Sequence, residues 1–170
     1  IICADPGTPC PYFSAWYDWP KAGRQFLTNR AHGALGWALG ASIGAQIGRP
    51  NAKVICAMGD GSFGMSVGEF ETVKRLGLPI TFIVFSNSVF GWIKAGQKTG
   101  FDERYYSVDF TRTDHRAVAE AYGLKAWTVE AAEDLSATLA KAIAHDGPTL
   151  VDVIAQPLQD AAAPVSEWVS

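Results

Sequence analysis

Two uninterrupted apolar runs, Lys53–Met58 (KVICAM) and Ile80–Phe85 (ITFIVF), constrain this chain more than any other feature, because a single helix-length segment separates them. Short runs rich in Val, Ile and Phe, without polar alternation, are strands buried on both faces. Such strands pair in parallel, and parallel neighbours need helical crossovers that cover the sheet. The same alternation continues on either side. Small residues dominate Ala31–Gly48, a helix packed closely on its neighbours, and Val67–Leu76 reads as the crossover helix. Thr113 or Asp114 caps a helix that runs to Tyr122 and ends at Gly123. Strand Ala126–Val129, helix Ala132–His145 and strand Thr149–Ile154 complete the pattern. The expected fold class is α/β, an open, mostly parallel sheet with helices on both faces. Residues 1–170 form one domain in this reading. Residues 1–24, with Pro6, Pro9, Pro11 and Pro20, read as an irregular N-terminal segment, and residues 156–170 as a C-terminal tail.

A chain of 170 residues with 48% hydrophobic and 18% charged content has enough apolar surface for one sizeable core. The net charge of -3, with no basic run interleaved with aromatics, points away from nucleic acid and from anionic membranes. No apolar run approaches the ~20 residues that span a bilayer. Three cysteines, Cys3, Cys10 and Cys56, make an odd count without zinc-type spacing, and Cys56 lies inside an apolar run. Free thiols in a reducing, cytoplasmic setting are the favoured reading over a Cys3–Cys10 disulfide or metal pair. The chain begins at Ile1 without a signal-peptide pattern, so it is expected to be a processed or trimmed piece.

Polar chemistry concentrates where the two apolar runs end. Asp60 leaves the first strand inside Gly59-Asp60-Gly61-Ser62, and Asn87 leaves the second. In an open parallel sheet, ligands bind at the carboxyl ends of strands, where the next helices begin. Neighbouring strands would bring both side chains to one edge, as oxygen ligands for a hard divalent cation that shares its shell with a diphosphate. Gly59 and Gly61 permit a tight turn with amides close to phosphate oxygens, and Ser62 adds a hydroxyl. A strand-ending turn is the competing reading of Gly-Asp-Gly alone.

In context, Gly59-Asp60-Gly61-Ser62-Phe63, a helix carrying Glu69, the strand ending at Phe85 and then Asn87 resemble the signature of thiamine diphosphate (ThDP) enzymes. Ala31–Ala45 (AHGALGWALGASIGA) is similar to the small-residue segment that precedes this signature in the acetolactate synthase and pyruvate decarboxylase superfamily. Gly7-Thr8 after Asp5 resembles that family's early diphosphate-contacting turn. The resemblance spans essentially the whole chain and implies the diphosphate-binding domain or subunit of the ThDP-binding fold.

The resemblance implies Mg2+ held by Asp60, the side-chain oxygen of Asn87 and the carbonyl of Val89. It implies diphosphate contacts from the amides of Gly61, Ser62, Phe90 and Gly91 and the hydroxyls of Thr8 and Ser62. Where the family usually has two asparagines, this chain has Ser86-Asn87, and the second position is the metal ligand. Leu35 corresponds to the bulky side chain over which the family bends its cofactor, with the Gly33 carbonyl and Leu35 amide on the aminopyrimidine ring. His32 lies beside them, a candidate for reaching substrate or a packing residue. Trp92, Ile93 and Lys94, at the start of a helix at the site's mouth, are candidate substrate contacts. Core or interface packing for Trp92 and solvent exposure for Lys94 are the alternatives. His115, in the turn Asp114-His115-Arg116, is expected at the surface.

The family activates its cofactor with a glutamate from a separate pyrimidine-binding domain, which this chain lacks. Glu69 and Glu71 are expected to be solvated or packing residues instead. The implied active site therefore lies at an interface with a pyrimidine-binding partner, in a homo- or hetero-oligomer such as a dimer of dimers. Pyruvate decarboxylases place a glutamate where Ile93 stands, so the isoleucine looks more like acetolactate synthases and 2-hydroxyacyl-CoA lyases. The implied chemistry is making or breaking a C–C bond next to a carbonyl. A split 2-oxoacid decarboxylase of the sulfopyruvate or phosphonopyruvate type is the enzymatic alternative, and a non-catalytic cofactor-binding subunit the alternative of another class. A nicotinamide-binding domain ranks below these, because Gly33-Ala34-Leu35-Gly36 lacks the Gly-x-Gly-x-x-Gly spacing.

Overall fold

A computed structural model describes residues 1–157 and residue 160. The central sheet has six strands: β1 (Ile2–Ala4), β2 (Phe26–Leu27), β3 (Ile55–Gly59), β4 (Thr81–Ser86), β5 (Lys125–Val129) and β6 (Thr149–Ile154). Their order is β2-β1-β3-β4-β6-β5, and every ladder is parallel. The two apolar runs are indeed neighbours, paired in a register that sets Gly59 opposite Phe85. After β1 the chain first adds β2 on one side and then β3 on the other. That reversal opens a crevice at the carboxyl ends of β1 and β3.

Helices cover both faces. On one face, α2 (Trp37–Gly48), α4 (Phe70–Arg75) and α6 (His115–Ala121) pack over a row that includes Cys3, Cys56, Phe82 and Leu150. Phe70 sits at its centre, edge-on to Phe82 at 4.8 Å and to Phe63 at 5.5 Å. Truncating such a buried phenylalanine to alanine costs about 3–5 kcal/mol. On the other face α7 (Ala132–Ala144) contributes Leu135, Leu139 and Ala142 to a cluster with Val129 and Val151. Three further helices begin at the carboxyl edge: α3 (Asp60–Ser66) directly after β3, and α1 (Pro9–Trp16) and α5 (Gly91–Gly100) after short loops beyond β1 and β4.

The N-terminal segment departs from expectation, since residues 1–24 contain β1 and α1 rather than irregular chain alone. Pro9 stands in the first turn of α1, where a missing N–H is harmless, so its proline starts the helix instead of preventing it. The small-residue helix begins at Trp37, not at Ala31, because Gly33 and Gly36 take φ of 79° and 78° and turn the chain beforehand. The segment expected as helix Val67–Leu76 is a 3-10 turn, Val67–Glu69, followed by α4. The capping choice falls on Asp114, whose Oδ1 accepts from the Ala117 amide at 2.9 Å. All three cysteines are free and buried. Among the described residues no helix is long and apolar enough to cross a membrane. The expected C-terminal tail, apart from residues 156, 157 and 160, lies outside the described residues.

Candidate functional site

Asp60 is the first residue of α3, and its carboxylate is buried against the loop that follows β4. Oδ2 accepts from the amides of Asn87 at 2.8 Å and Ser88 at 2.6 Å, while Oδ1 accepts from the Gly61 amide at 2.9 Å. Two charge-assisted bonds thus tie the end of β3 to the loop after β4, and the third closes the turn at Gly61. Ser88 adopts φ of 58°, a left-handed conformation that costs a non-glycine residue about 1 kcal/mol or more. Its bond to Asp60 holds it there. Asn87 Oδ1 accepts only a long bond, 3.3 Å, from the Val89 amide.

These loops line a cleft of about 170 Å³. Gly7 and Thr8 enter it from β1, Gly59 to Ser62 from β3, and Asn87 and Val89 to Ile93 from β4, with Gly33 and Leu35 closing one side. Thr8 precedes α1 without making a capping bond with its side chain. Gly61 is required by close approach, because a Cβ there would lie 2.5 Å from Cε1 of the Phe90 ring.

Asp5, fully buried at the end of β1, fixes the Gly33–Leu35 side. Its Oδ1 accepts from the Ala38 amide at 2.8 Å and its Oδ2 from the Gly36 amide at 3.1 Å. Burial pushes its pKa up, while bonds from the Ala38 and Gly36 amides, the Ser62 hydroxyl and the Trp37 amide pull the other way. Gly36 lies against α3, where an added Cβ would meet Met65 Cβ at 3.2 Å. Sequence reading passed over the role of Asp5. An acid at a strand end, just before Pro6-Gly7-Thr8, was the available signal.

Several expected residues are placed differently. The Phe90 amide donates to the Val108 carbonyl at 2.9 Å and the Gly61 amide to Asp60, so both amides serve the loops themselves. The Ser62 and Gly91 amides lie in the first turns of α3 and α5, where N–H groups have no acceptor within the helix. Lys94 does not line the cleft; its Nζ donates to Asp109 Oδ1 at 2.6 Å and lies 4.9 Å from the Tyr105 ring centroid. Trp92 and Ile93 do line it. His32 is exposed and outside the lining. Glu69 and Glu71 are solvated: Glu69 accepts from the Thr72 hydroxyl and Glu71 pairs with Arg75. His115, expected at the surface, is buried at 4% exposure, because α6 packs on β5 and β6 and the His115 ring turns inward to Ser86 on β4 and Asp152 on β6.

Residues 7–153 match the family model described as "Thiamine pyrophosphate enzyme, C-terminal TPP binding domain". The chain belongs to that family. Within this thiamine pyrophosphate enzyme family, it is 35% identical over 136 residues to acetolactate synthase isozyme 2 large subunit of Escherichia coli (strain K12), covering 79% of this chain and 25% of that protein. It is 33% identical over 158 residues to a probable acetolactate synthase large subunit of Methanococcus aeolicus, covering 92% of this chain and 26% of that protein. Its fold matches the thiamine diphosphate-dependent 4-hydroxybenzoylformate decarboxylase of Rhodococcus jostii RHA1 with a TM-score of 0.82 at 26% identity, over 92% of this chain and 29% of that one. The chain thus spans about a quarter of the length of its curated relatives.

The donor set suits a magnesium diphosphate. Asp60 and Asn87 offer only oxygen, the preference of a hard cation. Asp60 Oδ1 and Asn87 Oδ1 each accept a single protein hydrogen bond, which leaves acceptor capacity on both. Among the described residues no three His, Cys, Asp or Glu side chains gather as a metal cage. A cation here would therefore draw ligands from carbonyl, water and phosphate oxygens.

Proposed function

We propose that this chain holds the diphosphate end of ThDP through Mg2+, as one half of an enzyme that makes or breaks a C–C bond next to a carbonyl. The observation that carries the reading is the joint placement of Asp60 and Asn87, from adjacent strands, in the cleft at the sheet's carboxyl edge. Asp60 Oδ1, Asn87 Oδ1 and the Val89 carbonyl hold the metal. The Ser62 and Gly91 amides and the Thr8 hydroxyl receive the diphosphate, while the Ser62 hydroxyl, expected to join them, donates to Asp5 instead. Gly61 and Phe90 shape the loops behind it. Leu35, half-buried at the cleft wall, supports the bend of the cofactor, with the Gly33 carbonyl beside it. The bound cofactor supplies the electron sink for the C–C chemistry. Trp92 and Ile93 contact the substrate and exclude water from the cleft.

With Glu69 and Glu71 solvated on the α3–α4 side, the activating carboxylate comes from a pyrimidine-binding domain, in the same longer chain or in a partner subunit of a homo- or hetero-oligomer. Free, buried thiols fit a reducing, cytoplasmic setting. Similarity to acetolactate synthases and the apolar Ile93 favour carboligase or lyase chemistry. The fold match to a 4-hydroxybenzoylformate decarboxylase supports a 2-oxoacid decarboxylase as the second reading.

The test is turnover of a panel of 2-oxoacids and 2-hydroxyacyl-CoAs by the chain alone and with its pyrimidine-binding partner. Activity dependent on Mg2+, ThDP and the partner is expected. Full activity from the chain alone would remove the need for an outside glutamate.

A further inference from the structure

Behind the proposed metal pair lies a buried polar cluster that the reading above does not use. His115 Nδ1 is 2.8 Å from Ser86 Oγ and 3.3 Å from Asp152 Oδ1. All three residues are at most 4% exposed. Ser86 ends β4 immediately before Asn87, Asp152 lies opposite Val84 on β6, and His115 begins α6. The His115 ring also packs edge-on against Phe63 at 5.0 Å, and Phe63 follows Asp60-Gly61-Ser62 in α3. One side chain therefore touches the chain on both sides of the cleft, one residue before Asn87 and three residues after Asp60.

Two oxygens face the same ring nitrogen, and a carboxylate can only accept, so the network places the proton on Nδ1, shared between Asp152 and Ser86. The pairing explains how an aspartate is tolerated in the interior of β6. Close packing does not fix the ring from every side. A hollow of about 420 Å³ borders it, lined by Phe63, Val67, Phe90, Phe110 and Val118 and reaching Asp60 and Gly61. The polar links on the sheet side thus locate the ring, and the ring locates the two loops.

We infer that Ser86, His115 and Asp152 form a positioning device that holds Asn87 and the Asp60 loop at metal-binding separation. The inference rests on the proposed Mg2+ site. His115 is a positioning residue, outside contact with metal or cofactor. Removing a group that orients metal ligands typically lowers metal affinity 10–100-fold.

The test uses the full-length protein carrying this chain, with ThDP binding followed by Trp fluorescence or calorimetry as Mg2+ is titrated, and with unfolding of the metal-free protein measured in parallel. H115F keeps a ring against Phe63 and deletes the polar links. S86A deletes one link with minimal change of volume and is the variant to rely on if H115F folds poorly. Each should raise the Mg2+ concentration for half-saturation about 10-fold or more, and ThDP binding should return at high Mg2+. S86A/H115F should resemble H115F alone, because both changes cut the same bond. D60A should bind no ThDP at any Mg2+ concentration. If D60A behaves so while S86A keeps the wild-type half-saturation, the positioning role is overturned and the metal site stands. If wild-type binding ignores Mg2+, both fall.

Discussion

Replacing Asp60 by asparagine turns the central hydrogen-bond geometry into a measurable energy. The two carboxylate oxygens are unequal: Oδ2 accepts from the Asn87 and Ser88 amides, whereas Oδ1 accepts only from Gly61. An asparagine will therefore turn its carbonyl towards the two amides and place its NH2 at the Oδ1 position. There it meets the Gly61 N–H donor to donor, at a cost of about 1–3 kcal/mol. The two retained bonds lose their charge assistance, about 1 kcal/mol each. Burying an amide is cheaper than burying a carboxylate, which trims the sum towards its lower end. The expected loss is about 3 kcal/mol in the metal-free protein. With a urea m-value near 2 kcal/mol/M, the midpoint falls by about 1.5 M. Ligand linkage gives an independent reading. At 100 times its dissociation constant, magnesium-ThDP should stabilise the wild type by about 2.7 kcal/mol, and the variant by nothing, since a donor now occupies a metal-facing position. Equilibrium urea unfolding with and without magnesium-ThDP measures both. A variant within about 1 kcal/mol of wild type that keeps the ligand increment would refute the geometry and the metal role together.

Gly61→Ala places a methyl carbon 2.5 Å from Phe90, so the ring must move; about 1–3 kcal/mol of stability should be lost, and ThDP binding should weaken in calorimetry. For Asp5, burial raises the pKa above its ordinary 3.8, so the folded chain holds this proton more tightly than the unfolded chain does. Its contribution is full below 3.8 and is lost as pH rises through the folded value. Urea unfolding across acidic pH should therefore show the stability of wild type relative to Asp5→Asn falling as pH rises, and a rising difference would refute the sign. Burial pushes the Cys3 thiol up to about 11, and all three thiols are buried, so iodoacetamide at pH 8 should label them only after denaturation. Rapid labelling of the native protein would contradict this burial.

The sequence made the strands of the sheet centre legible because β3 and β4 are apolar on both faces and β6 is a short β-branched run broken only by Asp152. β1 and β2 were not legible: three and two residues carry too little pattern, and Pro6 and Pro9 beside them read as breakers. The helix at Asp60 was hidden by glycines that suggested only a turn. At the site, Asp60 and Asn87 were legible as residue types at strand ends, and the structure brings both into one cleft. What sequence withheld was direction. Lys94 turns to Asp109, the Phe90 amide turns to Val108, and His115 turns inward from a capping position, each decided by contacts distant in sequence.

The pairing of Gly59 with Phe85 has a consequence for how the chain tolerates change in length. The span between Asp60 and Asn87 is set by the ladder that joins β3 to β4, not by the covalent path through α3 and α4. The exposed turn at Leu76–Gly77, on that path ahead of the buried Ile80, lies at the amino end of β4, opposite the cleft. Residues inserted there would lengthen the connection and leave the two ligands where they are, so the spacing between the two halves of the motif is free to drift while the distance across the site is not.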